Sequence, residues 1–268
     1  MTPAAVVDQR PLYNTIYDFP TLSELVGNFG YRILWNIRKA DQFSSYTTSL
    51  LFAFVHALGR KIRGETDIYI SIIDTRKAKR TDEKPAEFYY VPELQRILDI
   101  ADWKGWGDMQ KCKLSAPWYT HEYVAHGVLA LTPSIYRMVP LGDFINHGLL
   151  SFVPALYPKG EEDEMKALYN RCVQLRATWC QTTDSQPLTI ETLDSAAKLA
   201  SLFYPAAGGI HKTEPDAIEQ WSLIRIMPQV FIDLVGLSKH PKNAAVFLEY
   251  IRNHFIRKSW CTPKSLPC

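Results

Sequence analysis

Two carboxylates stand three residues apart in the segment that runs Thr213, Glu214, Pro215, Asp216, Ala217, Ile218, Glu219, and this is the only Asp-x-x-Glu in the chain. Pro215 suits a helix start, and residues three apart in a helix share a face. Two anions so placed can hold a guanidinium or ammonium group, or one can serve as a general base. Acidic residues in a first turn also complement the helix dipole and nothing more. Both readings stay open on residue type alone. A second group of chemically able residues lies upstream. Ser44, Ser45, Tyr46, Thr47, Thr48 and Ser49 carry hydroxyls in an unbroken row. They are predicted to form a polar loop feeding a helix, where free N–H groups and the dipole suit an anion or a polar ligand. Glu122 is predicted on a later strand and Arg32 on an earlier one. Thr47, Ser49 and Glu122 are the candidate substrate-binding residues, and Asp216 and Glu219 the candidate catalytic ones. Arg76, Lys77, Lys79 and Arg80 form a dense cationic run, fit for RNA phosphates or for a solvated turn.

Several chemistries lack their residues. The seven histidines, His56, His121, His126, His147, His211, His240 and His254, show no HExxH and no paired His/Cys spacing, so no metal site is expected. The five cysteines include no CxxC, which argues against a zinc knuckle and a disulfide framework. A P-loop, a GxGxxG and a Gly-x-Ser-x-Gly elbow are absent. Trp103 and Trp106 sit in a loop with glycine and lysine, suited to base stacking and equally to core packing.

The elements that must position these groups follow from pattern. A buried helix is expected from residue 50, apolar almost throughout to 58, capped by Thr47 or Thr48 and ended by Gly59 or Gly64. A strand over 67–73 is apolar on both faces, the mark of a central strand. It ends at Asp74, where sheets present working side chains. A short helix over 22–29 and a strand over 31–37 precede them. An aromatic stretch at 88–91, a helix from Pro92, a strand over 121–131 and a helix over 141–150 come after. Beyond residue 158 the pattern is helical: 161–180, 189–203, 215–235 with a kink at Pro228, and 241–260. The expected fold class is α+β. A mixed sheet-and-helix portion, 1–158, is expected to pack against a helical portion, 159–268.

Composition is that of a globular chain: 268 residues, 47% hydrophobic, net charge +2, mean hydropathy −0.15. So small a net charge sets up no global field for nucleic acid, and any such binding must rest on a local patch. The N-terminus lacks the basic and apolar regions of a signal peptide, and no apolar run reaches spanning length. A cytoplasmic protein is expected, with no membrane partner and no DNA.

Two resemblances bear on function. Residues 43–57 with Glu122 and Tyr123 look like a widespread fungal ADP-ribosyltransferase-like domain, over roughly residues 30–130. It implies that Arg32 holds a phosphate of NAD, a hydroxyl such as Ser49 supports the ribose, and Glu122 stabilises an oxocarbenium-like state. The chain as a whole resembles the fungal arginine-containing cyclodipeptide synthases, whose pattern includes Asp-Asp-x-x-Glu in the C-terminal third. Asp216 and Glu219 fit it, with Pro215 standing where the pattern has its first aspartate. This second resemblance implies a tRNA-dependent synthase making a diketopiperazine from arginine and another amino acid. Its partners would be aminoacyl-tRNAs, and it would need no ATP or other cofactor, because the aminoacyl esters arrive activated.

Overall fold

The computed structural model describes residues 21–33, 43–100, 122–132, 135–160, 163–181 and 189–203, the side chains of 31–33, 95, 97–100 and 178–181 excepted. The elements in chain order are α1 (Leu22–Ile33), β1 (Phe43–Thr47), α2 (Leu50–Ile62), β2 (Tyr69–Ile73), β3 (Lys79–Arg80), β4 (Phe88–Tyr90), α3 (Val91–Ile100), β5 (Glu122–His126), β6 (Leu129–Ala130) and β7 (Tyr136–Pro140). Among the described residues only helices follow: α4 (Leu141–Asn146), α5 (Leu149–Phe152), a 3-10 turn (Pro154–Leu156), α6 (Glu164–Gln181) and α7 (Ile190–Ser201). The fold is therefore α+β, as the patterning predicts. The chain forms two compact units, one of Met1–Ala53 and Ser71–Arg137, the other of Phe54–Ile70 and Met138–Cys268.

The first unit is organised on a three-stranded antiparallel sheet in the order β1-β5-β4. Because side chains alternate along a strand, Phe43, Val124 and His126 share one face, and all three are buried. Phe29 of α1 packs its ring edge against Phe43, 5.9 Å between centroids, and Phe43 meets the His126 ring at 5.1 Å. The other face carries Tyr46, Phe88, Tyr90 and Tyr123. Tyr46 and Phe88 are T-shaped at 5.3 Å, and Tyr90 and Tyr123 are tilted at 5.2 Å, geometries that suit the ring quadrupoles.

In the described part of the second unit, helices gather around Phe54, Phe144 and Phe203. Phe144 touches Phe54 at 5.0 Å and Phe203 at 5.3 Å. Each such ring, fully buried, contributes about 1.5–3 kcal/mol relative to exposure. A Cβ on Gly59 would lie 3.1 Å from Met165 Cγ, so the missing side chain is what lets α2 approach α6. α7 begins within a residue of the expected start, and Thr189 caps it, Oγ1 accepting from the Thr192 N–H at 3.2 Å.

Several expectations need correcting. The hydroxyl run is a strand over most of its length, because pairing with β5 satisfies its backbone. Residues 31–33 continue α1 instead of opening a strand; residues 34–37 lie outside the description. Ser49, and neither Thr47 nor Thr48, caps α2: its Oγ accepts from the Phe52 N–H at 3.2 Å. The helix runs through Gly59 and closes at Gly64, where φ is +81°. There Gly64 N–H donates to Lys61 O at 2.9 Å and Glu65 N–H to Arg60 O at 3.2 Å, a Schellman closure. The predicted central strand, β2, pairs with β7 alone among the described residues. Asp74 N–H donates to Ile135 O at one end of that ribbon and Leu141 N–H to Ile68 O at the other, so it is antiparallel. The strand over 121–131 is broken into β5 and β6 at Gly127, φ +81°. The helix over 141–150 is broken at Gly148, φ +96°. Positive φ is readily adopted only by glycine, and it turns the chain out of either element. The predicted helices over 215–235 and 241–260 lie outside the described residues.

Candidate functional site

Glu122 opens β5, the middle strand of the sheet, and Thr47 closes β1. The two are direct antiparallel partners. Such partners project to the same face with Cβ atoms about 4.5–5.5 Å apart. Two residues after Thr47, Ser49 caps α2. Thr47 Oγ1 accepts from the Ser49 N–H at 3.0 Å, and Ser49 Oγ from the Phe52 N–H. The three residues proposed to bind substrate, far apart in sequence, thus meet at one end of the sheet where a helix begins. Glu122 is 8% exposed. It lies on the same face as the buried Val124 and His126, so its carboxylate works in a largely desolvated setting where charge-assisted bonds are strong. No acidic residue occupies the first turn of α2, and the positive end of that helix lies on the Thr47 side of the strand pair.

Asp216 and Glu219 lie outside the described residues, as do His121, His211, His240, His254, Trp103 and Trp106. Arg32 falls within α1 and its side chain is not described. Among the described residues, no group of histidine, cysteine and carboxylate side chains could hold a metal ion. None of their helices is long and apolar enough to cross a membrane.

The cationic run separates into unlike parts. Arg76 is exposed and forks onto Asp74, Nε to Oδ1 and Nη2 to Oδ2, each at 2.9 Å. Asp74 is 5% exposed. The Arg76 guanidinium holds its carboxyl below the ordinary carboxylate value, against the opposing effect of burial. Lys79 is exposed, 3.5 Å from Glu83. Arg80 is buried, its Nε donating to Asp82 Oδ1 at 3.0 Å and its Nη2 to Oδ2. So Arg76 and Lys79 face solvent, whereas Arg80 secures the hairpin that follows β3. The role of Asp74 is not evident from spacing alone. The signal available was an aspartate two residues before an arginine at a strand end, where an Asx turn forms.

The second unit holds polar contacts that the sequence did not single out. His56 Nδ1 lies 2.9 Å from the Tyr169 hydroxyl. Burial, helped by Arg60 and Arg63, lowers the His56 pKa from 6.5 to about 4. Glu164 and Arg171 pair with side chains 7% and 11% exposed. Arg171 also donates to Tyr157 O at 2.7 Å, and Glu164 accepts from the Lys159 N–H at 3.0 Å.

No family model matches the chain, and neither a curated protein nor a solved structure is found to be similar to it.

Proposed function

We propose that this protein is a tRNA-dependent synthase that joins arginine and a second amino acid into a cyclic dipeptide, working in the cytoplasm in secondary metabolism. The observation that carries the reading is a buried glutamate, Glu122, paired in register with Thr47, two residues before the Ser49 that caps α2. That set suits the ammonium or guanidinium of an arginyl group. The Asp216 and Glu219 pair supports it from the sequence.

The chemistry is two aminolyses. The amine of one aminoacyl ester attacks the carbonyl of the other. A C–N bond forms, the C–O bond to the tRNA ribose breaks, and the proton lost by the amine ends on the departing ribose hydroxyl. The remaining amine then attacks the remaining ester, closing the ring and freeing the second tRNA. Each step needs a neutral amine, so a carboxylate must take a proton; Asp216 and Glu219 fill that role or hold the guanidinium. Arg76, Lys77 and Lys79 contribute cations toward the tRNA phosphates. ATP is not consumed.

The same cluster also serves a second reading, an NAD-consuming ADP-ribosyltransferase-like enzyme with Glu122 at the oxocarbenium ion. The position of Arg32 on α1, where that arrangement wants a strand, weighs against it. A third reading is a non-catalytic interaction module. Expression in a microbial host, with mass spectrometry of the medium, separates the three. A new arginine-containing diketopiperazine, lost in Glu122→Gln, is expected. Nicotinamide release from NAD with no such product would instead favour the transferase. Neither product, with a macromolecule still bound specifically, would leave the interaction module.

A further inference from the structure

The exposed arginine of the basic turn is not a loose surface cation. Asp74 is sunk, its side chain 4% exposed, while the Arg76 side chain is 67% exposed. Both carboxylate oxygens are engaged by the guanidinium, and Oδ1 also accepts from the Arg76 backbone N–H at 3.2 Å. Asp74 is itself pinned. Its N–H donates to Ile135 O at 2.9 Å and its carbonyl accepts from the Lys77 N–H at 3.1 Å. A guanidinium is planar and carries five N–H donors. With the Nε–H and one Nη2–H turned inward to Asp74, the other three point away from the carboxylate, toward solvent. A fork fixed in this way loses little further freedom on binding, and it matches the bidentate geometry of a phosphate.

We infer that Asp74 is a positioning residue that holds the Arg76 guanidinium outward to receive a phosphate of the RNA backbone. The inference rests on the tRNA-dependent reading above. It adds to that reading a division of labour within the basic run: Arg76 is the preset phosphate fork, Lys79 an exposed neighbouring charge, and Arg80 a support for the hairpin.

The sign of one substitution separates position from charge. Asp74→Asn makes the protein more positive by one. If the run attracts RNA by charge alone, this variant binds more tightly. If Asp74 positions Arg76, it binds more weakly, against the electrostatic trend. The measurement is binding of the full chain to unfractionated, deacylated tRNA across a salt series. For Asp74→Asn we expect about 3–10-fold weaker binding and a salt slope lower by about 1, as one phosphate contact is lost. Arg76→Lys keeps the net charge and the exposed position but not the fork. It should bind about 3–10-fold more weakly too, and it decides the matter if Asp74→Asn fails to fold. Equal or tighter binding by a folded Asp74→Asn, or wild-type binding by Arg76→Lys, overturns the inference and leaves the synthase reading standing. A wild-type chain that does not bind tRNA overturns both.

Discussion

Two arginine–aspartate pairs flank the basic run, each formed by residues two apart in sequence and each forked, yet they bury opposite partners. In the Asp74–Arg76 pair the carboxylate is 4% exposed and the guanidinium 67%; in the Arg80–Asp82 pair the guanidinium is 6% exposed and the carboxylate 33%. Identical chemistry therefore does opposite work. Where the anion is sunk, the cation is displayed and held still. Where the cation is sunk, water can still reach the anion, and the pair ties a turn to the strand beside it. Arg80 lies in the β3–β6 ladder opposite Leu129, with its Cδ 3.8 Å from where a Cβ on Gly127 would sit. The second unit supplies a third arrangement, Glu164–Arg171, with side chains 7% and 11% exposed, so that neither partner is open to water. The cost of losing a partner should follow how thoroughly the survivor is cut off from water.

That rule orders the expected effects. Glu164→Ala removes the anion from Arg171, 11% exposed, leaving it only backbone carbonyls such as Tyr157 O, and should cost about 3 kcal/mol of stability in thermal or denaturant unfolding. Replacing both, as Glu164→Met with Arg171→Met, should recover a good part of that loss, since no charge is then left buried. A single variant as stable as wild type would refute the rule. The hairpin pair comes next. Asp82→Ala leaves the Arg80 guanidinium buried, whereas Arg80→Met leaves a carboxylate that water can serve. The first should lower Tm by roughly 5 °C and clearly more than the second. The reverse order would mean that packing along the Arg80 stem outweighs its charge.

Acid should expose a further contrast between the units. His56 is held neutral in the fold, its pKa lowered to about 4 from 6.5. A lowered histidine pKa means that the unfolded chain takes the proton first. Its contribution is complete above pH 6.5 and is lost as pH falls from there toward 4, by on the order of 3 kcal/mol at most. Asp74 and Asp82 also titrate below their ordinary values because of Arg76 and Arg80. Their contributions persist above the ordinary carboxylate range and are lost only as pH falls through the lowered values. Tm measured against pH should thus fall in two stages. His56→Gln, which can still reach the Tyr169 hydroxyl, should flatten the upper stage alone. An unchanged slope between pH 6.5 and 4 would refute the assignment to His56.

What sequence reading reached, and where it stopped, follows from how local each cause is. The body of α2, the long helix α6 and the helix α7 all rest on neighbours within a turn or two, and they were legible. The hydroxyl run was not. Nothing within the five residues of β1 shows that β5, more than seventy residues later, will pair with it. Gly127 and Gly148 were visible as glycines, but the apolar periodicity on either side led to unbroken elements being read across them. At the site, Glu122, Thr47 and Ser49 were recognisable by residue type, while the register that puts Glu122 against Thr47 belongs to the sheet. The four cations of the basic run look alike in sequence. What separates Arg76, Lys79 and Arg80 is the depth of their partners and their own, which no spacing records.

The smallest expected effect tests the comparison at its exposed end. Lys79 and Glu83 form an ion pair at 3.5 Å with side chains 58% and 81% exposed, so neither partner has lost much hydration. Losing the contact leaves two well-solvated groups, and exposed pairs of this kind contribute about 0.2–1 kcal/mol. Lys79→Ala should therefore leave Tm nearly unchanged. Its effect on tRNA binding should be a modest weakening that disappears at high salt, because an ammonium contributes a point charge and no planar fork. The Arg76→Lys loss should instead remain measurable at high salt, since it comes from the missing fork. The decisive comparison is the ratio of the two losses at low and high salt. If both fade together as salt rises, the buried Asp74 lends Arg76 nothing that an ordinary surface cation lacks.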